Sequence, residues 1–228
     1  MCGIFGSNDK ERFLTLYDLN RKRGTFSTSL VIFTTSGDMV VHRWSGTISV
    51  KEARKELEKS IGVKFTPFFY LGHTQAPTSS KRKFSRETSH PFNTNNWLVA
   101  HNGVLTNFDD IKSEFSPKWR NPVDSSIIPY VLDKVNEAGE GQLSVLECIV
   151  NGLSLLQGTF GLWIANTSNR GIYLARCGST LYANLVDNDF SSIEFKNSEP
   201  LDEGVVYEVT QEGLTSVATF DFNSPFFT

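Results

Sequence analysis

Apolar and polar positions follow two different periods along this chain, and the changes of period mark its elements. Residues 2–7 (CGIFGS) read as a short strand, and residues 9–22 (DKERFLTLYDLNRK) as an amphipathic helix with Phe13, Leu16, Tyr17 and Asn20 on one stripe. "TSLVIFTT", the turn "SGD" and "MVVHRW" predict a β-hairpin over 28–44. Ser49 and Glu52 have capping-box spacing ahead of "ARKELEKSIG", a helix that Gly62 ends. "PFFYLGHT" (67–74) and "NWLVAHNG" (96–103) are short strands ending in polar, glycine-containing turns, with an irregular basic segment, 75–95, between them. Helices are expected at 107–115, 124–137 and 143–156, the second shortened or kinked by Pro129. "TFGLWIAN", "GIYLAR", "TLYANLV", "SSIEF", "VVYEVT" and "LTSVATF" then form a run of strands. Helices flanked in sequence by strands predict two packed sheets with helices outside, an α+β fold.

With 228 residues, 39% of them hydrophobic and 21% charged, the chain can bury a sizeable core, and residues 1–228 read as one domain. A net charge of -3 gives no footprint for nucleic acid or an anionic membrane, despite the short basic run Lys81, Arg82, Lys83 and Arg86. That run reads as a solvated loop or a docking patch for a partner. Cys2, Cys148 and Cys177 are odd in number and lack C-x-x-C spacing, which argues against a disulfide framework and a zinc site. With no signal peptide and no apolar run near about 18 residues, the expected location is the cytoplasm.

The chain has no G-x-x-x-x-G-K-[ST], G-x-G-x-x-G, H-E-x-x-H or G-x-S-x-G motif. The sequon at Asn166 is discarded for a cytoplasmic chain. Cys2 carries the candidate chemistry. Once Met1 is removed, it presents a thiol and an α-amine on one residue, and an α-amine of pKa about 7.7–8.0 can act as the thiol's own base. Position alone favours an ordinary small residue opening a strand. Asn102 and Gly103 in "HNGVL" offer a side-chain amide and a glycine N–H for an oxyanion hole, although Asn-Gly is also a hairpin-turn signal. His73, His90 and His101 read as structural hydrogen-bonding residues, and Cys148 and Cys177 as packing residues.

"CGIFG" at the start, Arg23-Gly24, "LGHT" with Thr78 after it, and "HPF" leading to "AHNGVLTN" and "VDSS" occur in one order. In these motifs the chain resembles the class II glutamine amidotransferases, the N-terminal-nucleophile glutaminase domains of enzymes such as glucosamine-6-phosphate synthase and amidophosphoribosyltransferase. The likeness is carried by motifs to about residue 130 and more weakly, through "GTFGLWIAN" and "LARCGSTL", to about 215. It implies a four-layer α/β/β/α sandwich of the N-terminal nucleophile hydrolase type, with Cys2 as nucleophile and general base. It also implies Asn102 and the Gly103 backbone as the oxyanion hole, Arg23 as support for the cysteine, Thr78 lining the glutamine pocket, and Asp124 holding the substrate ammonium. No metal and no cofactor is implied.

The family's carboxylate-clamping arginine is here Gln75, which carries no charge and lacks the bidentate fork. Losing one charge-assisted hydrogen bond weakens binding about tenfold to 150-fold unless a neighbouring cation replaces it. The expected function is a stand-alone subunit that hydrolyses the glutamine side-chain amide through a γ-glutamyl thioester and supplies ammonia to a separate aminating enzyme. The alternatives are a catalytically silent binding or regulatory subunit, and a hydrolase of another γ-glutamyl or amide substrate.

Overall fold

A computed structural model describes residues 1–61, 66–76, 83–116 and 118–222. In chain order the first elements are β1 (Gly3–Ser7), α1 (Lys10–Asn20), β2 (Ser27–Thr34), β3 (Met39–Ser45), α2 (Val50–Ile61) and β4 (Pro67–Gln75). The middle of the chain forms β5 (Phe92–Asn93), β6 (Trp97–Leu105), α3 (Phe108–Phe115), a 3₁₀ turn (Asp124–Ile127), α4 (Ile128–Ala138) and α5 (Val145–Ser154). Strands β7 (Gly158–Asn166), β8 (Ile172–Cys177), β9 (Tyr182–Asn184), β10 (Asp189–Ser191), β11 (Glu199–Pro200), β12 (Val205–Thr210) and β13 (Gly213–Thr219) follow. They divide into two compact units, each with its own sheet and core.

The first unit comprises residues 1–90, 181–200 and 210–214. Its seven-stranded antiparallel sheet has the order β11-β9-β10-β1-β4-β2-β3. Strand side chains alternate between faces. Phe5, Leu30, Ile32 and Tyr70 point from one face into a core closed by Phe13, Leu16 and Tyr17 of α1 and Ala53 and Leu57 of α2. Both helices begin as their sequences demand: the Asp9 carboxylate accepts from the Arg12 N–H at 2.8 Å, and Ser49 and Glu52 bond reciprocally. Gly62, expected to end α2, lies outside the described residues.

The second unit comprises residues 91–180, 201–209 and 215–228, with the sheet order β13-β12-β8-β7-β6-β5. Val99, Phe160, Leu162, Ile164, Tyr173 and Ala175 of its strands pack with Ile128, Val131 and Leu132 of α4 and Ile149 and Leu153 of α5. The helix expected at 124–137 is shortened as Pro129 implied: a 3₁₀ turn takes 124–127 and α4 begins at Ile128, with Pro129 in its first turn, where its missing N–H interrupts no helical bond. The structure corrects another reading. Asn102-Gly103 is no turn at a strand end: β6 runs on to Leu105 and stays paired with β7, Gly103 opposite Phe160 and Leu105 opposite Gly158. Cross-strand pairing has overridden the local turn preference of Asn-Gly. A capping box at Ser144 and Glu147, which the sequence reading missed, starts α5.

Candidate active site

In the first unit, Cys2 stands one residue before β1 and is half-buried, its Sγ accepting from the Ala76 N–H at 3.4 Å. By alternation, Cys2 and Ile4 leave the sheet on the face opposite Phe5 and the helices. The β1–β4 and β4–β2–β3 registers put His73, Ser29 and Arg43 in one row of that face, and Gln75 and Ser27 in the next. A polar strip therefore crosses the sheet beside the cysteine, while Leu71 and Val31 behind it are apolar and buried.

Arg23 follows α1 and donates from Nη1 to the Ser192 carbonyl at 2.7 Å and from Nη2 to the Met1 sulfur at 3.2 Å. Burial lowers the pKa of its guanidinium, while the neighbouring Cys2 and Tyr182 act to raise it. A Cβ on Gly24 would fall 2.4–2.5 Å from the Thr74 and Gln75 backbone, so glycine lets the Arg23 turn lie against β4. Met1 is 85% exposed, open to an aminopeptidase.

Gln75 is a brace. Its Oε1 accepts from Ser27 Oγ at 2.9 Å and the His90 N–H at 3.4 Å, and its Nε2 donates to the Thr88 carbonyl at 3.1 Å. It thereby ties β4 to β2 and to the segment that returns after the basic run. A guanidinium has no acceptor atom, so in Gln75→Arg the Ser27 hydroxyl and His90 N–H would lose the oxygen they donate to. Gln75→Arg is expected to cost about 1–3 kcal/mol of stability, read as a lower urea midpoint, before any gain in substrate binding shows. Beside Gln75, the rings of His73 and His90 stack with centroids 3.8 Å apart, and Arg43 Nε donates to the His90 carbonyl at 3.2 Å. Arg43 is a cation near Gln75 that the sequence reading passed over. Burial, and then Arg86 beside it, push its pKa down to about 10. Lys83 and Arg86 are exposed, whereas Thr78, Lys81 and Arg82 lie outside the described residues.

In the second unit, alternation along β6 sends His101 to the helix face and Asn102 to the opposite one. Asn102 is buried, its Nδ2 donating to Ser179 Oγ at 3.2 Å. Asp124 opens the 3₁₀ turn. Its Oδ2 accepts from the Leu105 N–H at 2.9 Å and its Oδ1 from the Ser125 N–H at 2.8 Å, so it ties its own turn to the strand that carries Asn102 and Gly103; the N-cap position expected for it is held by Val123. His101 bridges the same elements, with Nδ1 2.8 Å from Ser125 Oγ and Nε2 3.2 Å from the Thr159 carbonyl.

Burial lowers the His101 pKa more than the Asp124 carboxylate and the Thr159 carbonyl raise it. The unfolded chain thus binds a proton that the folded chain resists, and this penalty is absent above the ordinary value of 6.5 and grows as pH falls below it. Urea unfolding is expected to show less stability at pH 5.5 than at pH 7, with a smaller drop in His101→Asn.

Cys2, Arg23 and Gln75 thus gather in one unit, and Asn102, Gly103 and Asp124 in the other. Ser179, which the sequence reading left in the strand pattern "LARCGSTL", contacts Asn102. Only its place after a glycine at the end of β8 marked it. Among the described residues there is no group of three His, Cys, Asp or Glu side chains fit to hold a metal, and no helix long and apolar enough to cross a membrane.

No protein-family model matches the chain. The glutamine–fructose-6-phosphate aminotransferase of Streptococcus pyogenes is 26% identical over 191 residues, covering 81% of this chain and 30% of the relative. The chain thus spans about a third of the length of the curated relatives it matches. Among solved structures, the glutamine phosphoribosylpyrophosphate amidotransferase from B. subtilis superposes with a TM-score of 0.71 at 20% identity, over 98% of this chain and 50% of that one. A glutamine aminotransferase class-II domain protein from Silicibacter pomeroyi does so with a TM-score of 0.53 at 12% identity, over 97% of this chain and 100% of that one. The likeness to class II glutamine amidotransferases read from the motifs is therefore met in these relatives, and the chain shares the fold of the amidotransferase structures it superposes on.

Proposed function

We propose that this relative of the class II glutamine amidotransferases is a glutaminase-type domain over residues 1–228, in which Cys2, exposed by removal of Met1, hydrolyses the side-chain amide of glutamine. The observation that carries the reading is the cysteine itself: a half-buried thiol at the head of β1, beside the Arg23 guanidinium and held by the Ala76 N–H at 3.4 Å. The new α-amine takes the thiol proton, and Sγ attacks the amide carbon. Asn102 Nδ2 and the Gly103 N–H stabilise the tetrahedral oxyanion, and Arg23 steadies the cysteine end. The amine returns the proton to the leaving nitrogen, ammonia departs, and water hydrolyses the γ-glutamyl thioester. Asp124 holds the substrate ammonium.

The ammonia passes to a separate aminating partner, and the protein works in the cytoplasm without a cofactor. Gln75 favours one refinement. It is buried, uncharged and held at both ends of its amide as a brace, so a substrate carboxylate would be met by another cation or be absent, as in a different γ-glutamyl amide. The test is ammonia release from glutamine and from γ-glutamyl amides lacking the α-carboxylate, with intact-mass measurement for Met1. Retained Met1, or no release from any of them, would sink the enzymatic reading in favour of a silent regulatory subunit.

A further inference from the structure

We infer that Ser179 is a positioning residue that sets which end of the Asn102 side chain is nitrogen; this rests on the oxyanion-hole reading above. Asn102 and Ser179 are joined twice. Ser179 Oγ donates to the Asn102 backbone carbonyl at 2.8 Å, and Asn102 Nδ2 donates to Ser179 Oγ at 3.2 Å. A serine hydroxyl has one hydrogen. With that hydrogen committed to the carbonyl, Oγ offers only lone pairs to the side-chain amide and accepts its NH₂ but repels its oxygen. The flipped amide would aim Oδ1 where a negative oxygen forms. The hydroxyl thus converts a nearly symmetric amide into a donor of fixed direction, the preorganisation an oxyanion site needs.

The serine is itself on a fixed support. Gly178, at φ 61, makes the turn out of β8 and bridges to Phe160 of β7. Arg176 Nη1 donates to the Ser179 carbonyl at 3.2 Å, while Arg176 Nε bonds the Leu201 carbonyl.

The experiment compares wild type, Ser179→Ala and Ser179→Thr in steady-state ammonia release from glutamine and in alkylation of Cys2 by iodoacetamide, a displacement that forms no oxyanion. Removing one oxyanion donor outright slows turnover about 10²–10³-fold, and a donor left unoriented retains part of its effect. In Ser179→Ala, kcat is expected to fall about 10–100-fold with KM within about twofold of wild type and an unchanged alkylation rate; Ser179→Thr restores kcat. Unchanged kcat in Ser179→Ala, or a parallel fall of kcat and alkylation, would overturn the role for Ser179 while leaving the glutaminase reading intact. A wild type no faster than Cys2→Ala would overturn the glutaminase reading and this one with it.

Discussion

Cys2→Ala is expected to release ammonia from glutamine at least about 10³-fold more slowly than wild type, with no loss of fold. The size follows from what the substitution removes. In an N-terminal nucleophile the attacking atom and its base share one residue, so alanine keeps the amine and loses the atom that forms the thioester. Water attack from the same pocket retains only the binding and oxyanion terms, which leave a small residue of catalysis when a nucleophile is deleted. Cys2→Ser tests the thiol specifically, since an alcohol is far less acidic than a thiol and the α-amine is a weak base for it. Stability should hardly change, because Cys2 precedes β1 and is only half-buried. Ammonia release and thermal unfolding of the same preparations check both statements. Equal rates in Cys2→Ala and wild type would refute the mechanism.

Gly103→Ala is expected to cost at least about 3 kcal/mol and, with it, the activity. An added Cβ would lie 1.9 Å from the Thr159 carbonyl oxygen and 2.6 Å from its carbon, backbone atoms of β7 that cannot rotate away, at a φ of +156. The same atom would stand 2.7 Å from His101 Nε2 and press on the histidine that spans β6, β7 and the Asp124 turn. Strand β6 can admit the methyl only by parting from β7 where Asn102 and Gly103 are held. The loss should appear as a large fall in the urea midpoint and in ammonia release together. A variant with wild-type stability would mean that β6 and β7 do not pair there as described.

Much of the site was legible because its residues are punctuated locally. Cys2 stands beside the initiator and His101-Asn102-Gly103 follows an apolar run, so the residues themselves marked these candidates, whereas Arg23 and Asp124 entered through the motif resemblance. The N-cap use that the sequence also allowed for Asp124 was not met, because Val123 holds that position and Asp124 is the first residue of the turn. Gln75 was legible only as a missing charge; that its amide braces β4 against Ser27 and Thr88 depended on partners the sequence does not bring near. Asn102-Gly103 read as a turn because local preference favours one, and nothing local announces a long partner strand.

The sequence by itself determined the candidate nucleophile, the alternation of strands and helices, and the buried stripe of α1, because these rest on periodicity and on chemistry carried by single residues. Only the tertiary structure decided which strand joins which sheet. It returned β9, β10 and β11 to the sheet of β1, although they follow β7 and β8 directly in the chain. It also set Ser179 against Asn102, 77 positions away. Pairings at such separations are selected by burial and by the need to satisfy every buried hydrogen-bonding group at once, a condition on the whole fold that no short stretch of sequence contains.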